Sequence, residues 1–193
     1  MIKIGLTGSI AMGKSFVTNL LKNMNIDVFD ADKVVHSMFI NNNKIISAIA
    51  KSYPIVYHEG IIDRKQLAKL AFGNTKILDD LEKIIYPELD KEEQKFFRKV
   101  GLAGKRLAIS DVPLLFESGN KNRYDIVIVV TAPKFLQERR ALARDRMTKE
   151  KLNSIRKRQL NEWQKKQLAD EIIYSGLGKA VTYRKLISIL RKL

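Results

Sequence analysis

Cysteine is absent from this 193-residue chain, which excludes disulfides and thiolate metal sites and fits a reducing compartment. Long apolar runs are absent as well. No stretch approaches the roughly 18 consecutive apolar residues that a membrane-spanning helix requires. There is no charged leader followed by an apolar segment; the chain opens directly into a strand-like run, so a cytoplasmic protein without a membrane partner is expected. Internal repeats and low-complexity tracts are missing too. Acidic residues are few beside basic ones, 21 against 36, giving a net charge of +15. Much of that excess lies between Arg139 and Lys166, where eleven Lys or Arg residues meet only Asp145, Glu150 and Glu162. A nucleic-acid surface would interleave such a run with aromatic residues for base stacking, and Trp163 alone does so here. A solvated helix face combined with a phosphate-handling segment explains the charge better. With 45% hydrophobic and 30% charged residues, the chain can bury one sizeable core.

What is present begins at residue 8. Gly8-Ser9-Ile10-Ala11-Met12-Gly13-Lys14-Ser15 reads G-x-x-x-x-G-K-S, between the apolar run Ile2 to Leu6 and a helical pattern from Phe16 to Met24. That is a P-loop in its strand–loop–helix setting, built to wrap backbone N–H groups around a polyphosphate. Gly8 and Gly13 permit conformations that a Cβ would obstruct. Lys14 can reach the outer phosphates, the Ser15 hydroxyl can ligand Mg²⁺, and the following helix directs its positive dipole end at the same anion. The whole turn, Gly8 to Phe16, is the expected ATP-binding segment.

Further apolar, β-branched runs occur at Ile26–Phe29, Leu107–Ser110, Ile126–Val130 and Ile172–Tyr174. Several lack alternation, as strands buried on both faces do, and helical patterns separate them. The expected fold is α/β, a P-loop NTPase fold with a doubly wound, parallel, five-stranded sheet and its ligand at the carboxyl ends of the strands. We expect one domain over residues 1–193: a core of about 1–40, 104–133 and 168–193, a helical acceptor-binding insertion of about 41–103, and a helical lid of about 134–167. In the insertion, Asp63 and Gln66 form a capping pair for a helix through Phe72, and Pro87 should kink or split the helix running from Lys76 towards Arg98. In the lid, Thr148 should cap a helix reaching about Gln167, and the Asp145-Arg146-Met147 joint suits a movable segment. A monomer or small homo-oligomer is expected.

Phosphoryl transfer needs a cradle, a metal, cations on the transferred group and a group to orient the attacking hydroxyl. Asp30-Ala31-Asp32, just past the second strand, is the best source of a base. Asp32 is favoured for the hydroxyl, while Asp30 can orient it, touch a metal-bound water or cap the next helix. Asp111 ends the third strand and can also approach the metal through water. Arg140 and Arg144, one helical turn apart, can close on the triphosphate. The catalytic set is therefore Asp32, Lys14 and Arg140. His36 and His58 read as structural, and Trp163 and Tyr86 as packing residues.

These motifs together resemble the dephospho-CoA kinases over nearly the whole chain. The resemblance runs through Gly5-Leu6-Thr7-Gly8 into the P-loop, Asp30-Ala31-Asp32, Gly60-Ile61-Ile62-Asp63-Arg64, Leu81-Glu82, Tyr86-Pro87 and Asp111-Val112-Pro113-Leu114-Leu115-Phe116-Glu117. It continues with Gln137, Arg140, Arg144, Gln159 and Ala169-Asp170. It implies that ATP, with Mg²⁺, phosphorylates the ribose 3′-hydroxyl of dephospho-CoA. It further implies that Asp32 is the base, that Arg140 approaches the phosphates, and that Asp32, Arg64, Tyr86 and Pro113, Leu114, Leu115, Phe116 and Glu117 belong to the acceptor site. The chain departs from the family pattern at Ser9, Ala11 and Met12, where glycine is more usual, at Tyr86, where histidine precedes the proline, and at Ser175-Gly176, where an asparagine is common. Two other readings stay open: a nucleoside or nucleotide kinase with a different acceptor, and a nucleotide-dependent nucleic-acid-binding protein.

Overall fold

The computed structural model describes residues 1–145 and 147–193. They form two compact units, one of Met1–Phe29 with Lys99–Leu193, the other of Asp30–Arg98.

The first unit is organised on a five-stranded sheet. Its strands are β1 (Ile2–Thr7), β2 (Val28–Asp30), β5 (Leu107–Asp111), β6 (Ile126–Thr131) and β7 (Glu171–Tyr174). They lie in the order β2-β5-β1-β6-β7, with β1 parallel to both β5 and β6, and β6 parallel to β7. The parallel, doubly wound sheet expected from the sequence is thus present. Strand β6 shows why its sequence does not alternate. Ile128 and Val130 face a core shared with Val17 and Leu21 of helix α1 (Lys14–Asn23) and Leu186 and Ile189 of helix α9 (Lys179–Arg191). Val127 and Val129 face the opposite side, against Leu115 and Phe116. A strand covered on both faces has no polar side to display.

The basic segment holds three helices rather than the expected two, one to about Arg144 and one from Thr148: α6 (Lys134–Leu142), α7 (Lys149–Lys157) and α8 (Glu162–Leu168). Thr148 caps α7 as expected, accepting from Lys151 N. The helix then ends near Arg158 rather than continuing to Gln167, because Asn161 and Gln164 form a capping box that starts α8 afresh. Arg146, in the expected lid joint, lies outside the described residues.

The second unit contains α2 (Ala31–Asn41), α3 (Asn43–Ser52), a hairpin of β3 (Tyr57–His58) and β4 (Ile61–Ile62), α4 (Arg64–Ala71) and most of α5 (Thr75–Leu102). Its core gathers Met38, Phe39, Ile45, Ile49, Val56, Ile62, Leu67 and Leu81. Asp63 caps α4 through Lys65 N and Gln66 N. The hairpin escaped the sequence reading: each strand has two residues, and a glutamate holds the first left-handed turn position, Glu59 at φ 47° before Gly60 at φ 90°. Pro87 does not split α5, which is continuous through it. A proline inside a helix costs about 3 kcal/mol, and Ile84, Ile85 and Leu89, flanking it and packed on the core, offset that cost. Among the described residues, no helix is long and apolar enough to cross a membrane.

Candidate active site

The P-loop leaves the carboxyl end of β1 and enters α1. Gly8 must be glycine for want of space: a Cβ there would stand 2.5 Å from the Val130 carbonyl oxygen of β6. Gly13 has φ 95° and directly precedes α1, which has no side-chain cap and no acid in its first turn. The helix N-terminus therefore offers its N–H groups and dipole to an anion. Ser15 is exposed at this end.

Asp111, buried at the end of β5, accepts an ion pair from Lys14 Nζ, and its other oxygen accepts from Thr18 Oγ1 at 2.6 Å. The P-loop lysine is thus held at the turn by a carboxylate that a hydroxyl itself fixes. Thr18 was not singled out in the sequence, although its place four residues after Lys14 puts both on one face of α1.

Side chains of α6 and α8, and Ser175, surround the turn. Arg140 donates from NH1 to Ser175 Oγ (2.9 Å) and from NH2 to Ser175 O (3.0 Å), and Ser175 Oγ donates to Met12 O at 2.6 Å. Ser175, one of the departures from the family pattern, therefore joins Arg140 to the P-loop. Arg144 is exposed, two residues beyond the end of α6. Met12 is buried against Ala132 and Leu136, and its sulfur accepts from Ala132 N. Glu162, the first residue of α8, accepts from the Ser9 and Thr131 hydroxyls. A cavity of about 460 Å³ opens here, lined by Ser9, Met12, Thr131, Gln137, Gln159 and Glu162 among others.

Residues 113–117 continue from β5. Thr7 Oγ1 donates to Pro113 O at 3.2 Å. Leu115 and Phe116, expected at the acceptor, are core residues, Leu115 at 0% exposure. Glu117 is engaged with α8 and the residue before its cap: its Oε1 accepts from Leu160 N at 2.8 Å and pairs with the fully buried Lys165 at 2.9 Å. Pro113 and Leu114 are half-buried.

Asp32, Arg64 and Tyr86 belong to the second unit. Asp30 is the N-cap of α2, accepting from Lys33 N at 3.2 Å. Asp32, in the first turn of α2, is exposed and makes no hydrogen bond or ion pair with the described residues. Arg64, first in α4, contacts the His36 imidazole, so His36 has a partner that the sequence reading did not foresee. Tyr86 is half-buried on α5. Trp163 is not a packing residue; it is 70% exposed on α8.

The family model described as dephospho-CoA kinase matches residues 2–178. The chain belongs to the dephospho-CoA kinase family. A curated dephospho-CoA kinase of Bartonella quintana is 36% identical over 98% of this chain and 97% of its own length. A crystal structure from Thermus thermophilus superposes with a TM-score of 0.85 at 28% identity, covering 100% of this chain and 97% of the other. A dephospho-CoA kinase structure from Campylobacter jejuni gives a TM-score of 0.72 at 25% identity, covering 98% and 96%. The resemblance drawn from the motifs therefore stands, and the chain is a kinase. Within the dephospho-CoA kinase pattern its glycine-poor turn is accommodated in a specific way: Ala11 takes φ 60°, the left-handed conformation usually left to glycine.

Proposed function

We propose that this chain transfers the terminal phosphoryl group of ATP to the ribose 3′-hydroxyl of dephospho-CoA, producing coenzyme A and ADP in the last step of coenzyme A synthesis. The observation that carries this reading is the Gly8–Ser15 turn, set between β1 and an uncapped α1, in a chain whose residues 2–178 match the family. Main-chain N–H groups of the turn bind the phosphates, Lys14 neutralises charge on the transferred group, and Asp111 keeps the ammonium at the cradle. Arg140, anchored on Ser175, adds a second cation, and Arg144 is proposed to close on the nucleotide from the lid. Asp32 accepts the proton of the attacking hydroxyl; with Asp30 spent on its helix cap, it is the carboxylate of that pair left available. Arg64 and Tyr86, with Pro113 and Leu114, are proposed to contact the acceptor.

Mg²⁺ fits the donor set. The Ser15 hydroxyl is exposed at the helix terminus, and no cluster of three or more His, Asp or Glu exists among the described residues. Magnesium in phosphoryl-transfer sites takes one or two protein oxygens together with substrate phosphates, so Ser15 would hold it, with Asp30 or Asp111 acting through water. When bound it would neutralise charge on the phosphates. We also propose a cytoplasmic enzyme with small-molecule partners only, a monomer or small homo-oligomer, working as one domain with an acceptor-binding insertion and a lid.

The test is an acceptor panel with ATP and Mg²⁺. Dephospho-CoA should be phosphorylated and nucleoside monophosphates should not; the reverse result would overturn the assignment. In the same assay Asp32→Asn should lower kcat about a hundredfold while leaving ATP affinity near its original value. An amide variant that retained full turnover would remove Asp32 from the base role.

A further inference from the structure

A P-loop with Ser, Ile, Ala and Met at its four inner positions has to be held in shape by something other than glycine. Ala11 sits at φ 60°, where its Cβ is sterically disfavoured. The turn beside it is closed by Met12 N donating to Ser9 O at 3.2 Å. Both polar groups of the neighbouring Ile10 backbone are taken by glutamines of the lid segment. Ile10 N donates to Gln159 Oε1 at 3.1 Å, and Ile10 O accepts from Gln137 Nε2 at 3.0 Å. The Gln137 amide can face only one way, because Arg156 donates to its Oε1 from Nε (3.1 Å) and NH2 (2.7 Å). The Ala11 methyl is buried against Ala141 of α6 and Leu152 of α7.

We propose that Gln159, together with Gln137, is a positioning residue for nucleotide binding: Gln159 holds the Ser9–Ile10 peptide through Ile10 N and Gln137 the Ile10–Ala11 peptide through Ile10 O, so that Ala11 keeps the left-handed conformation the phosphate cradle needs. The inference rests on the reading of Gly8–Ser15 as the nucleotide cradle. Gln159 also takes the Ile10 N–H out of the set offered to the anion, as Ser9 O takes that of Met12. The lid and the cradle are consequently one mechanical unit. Any displacement of the segment around Gln159 frees the strained peptide to relax.

The test is a double-substitution cycle read by calorimetric ATP affinity, with steady-state KM values for ATP and the acceptor measured in parallel. Gln159→Ala should weaken ATP binding about fivefold to tenfold, the scale of the strain on one left-handed alanine. It should raise KM for ATP while leaving KM for the acceptor in place, a split that general loosening would not produce. Repeated in an Ala11→Gly background, the same substitution should cost no more than about twofold, because glycine occupies this conformation without strain. A twofold or larger difference between the backgrounds supports the proposal. A smaller difference, or a Gln159→Ala variant that binds ATP as the parent does, overturns it. If the unsubstituted chain fails to bind ATP, the nucleotide reading itself fails, which is a separate result.

Discussion

Glu117 lies in the run that the family resemblance assigns to the acceptor, yet the structure ties it to Lys165, and a single substitution separates the two roles. Lys165 Nζ is fully buried, 2.9 Å from Glu117 Oε1, and neither it nor Glu117 Oε2 has a further hydrogen-bond partner among the described residues. Glu117→Gln keeps the shape and removes the compensating charge. It leaves a buried ammonium facing a neutral amide, a situation that costs about 3–5 kcal/mol. In a chain of this length, that corresponds to a fall in Tm on the order of 10 °C. Lys165→Met should cost much less, because Glu117 is partly exposed and keeps the Leu160 N–H as donor. The double variant should recover most of the Glu117→Gln loss, since a buried ion pair exchanged for neutral groups of similar volume is close to neutral in stability. The assay is urea denaturation of the four proteins, with KM for dephospho-CoA measured on each. If Glu117→Gln loses less than about 1 kcal/mol but raises that KM tenfold, Glu117 is an acceptor contact and the structural account of this pair is wrong.

Three further outcomes follow from the geometry. Gly8→Ala would place a Cβ 2.5 Å from the Val130 carbonyl of β6, a main-chain atom that cannot yield cheaply, so the turn must shift and kcat/KM for ATP should drop about a hundredfold; an unchanged value in steady-state kinetics would contradict the close approach. Lys14→Ala should lower kcat by about 10²–10³-fold, and single-turnover rates within a factor of a few of the parent would refute its role at the phosphates. In the second unit, Glu88 is held to about 2, below its ordinary 4.5, first by the hydrogen bond from Lys44 (2.7 Å) and then by that from Lys91 (2.9 Å). A lowered carboxylate stabilises the fold above pH 4.5 and loses that contribution as pH falls towards 2, so the stability gap between parent and Glu88→Gln should close over that range; a gap that stayed constant in acid titration would refute the pairing.

The amino-acid order alone determined the cradle and the sheet. G-x-x-x-x-G-K-S is a local pattern whose function follows from backbone geometry over eight residues, and strands buried on both faces announce themselves as unbroken apolar runs such as Ile126–Val130. The caps at Asp63 and Thr148 were readable for the same reason, since a cap is a contact between residues two or three apart. Tertiary structure decided what depends on distant partners. Asn161 and Gln164 divided the expected lid helix, packing on both sides of Pro87 carried α5 through it, and a fold-determined partner took Glu117 for Lys165 and Arg140 for Ser175. Gln159 reaches Ile10 across 149 positions of chain. Nothing in the intervening residues encodes that approach, because it exists only once the fold has brought the end of β1 to the segment between α7 and α8.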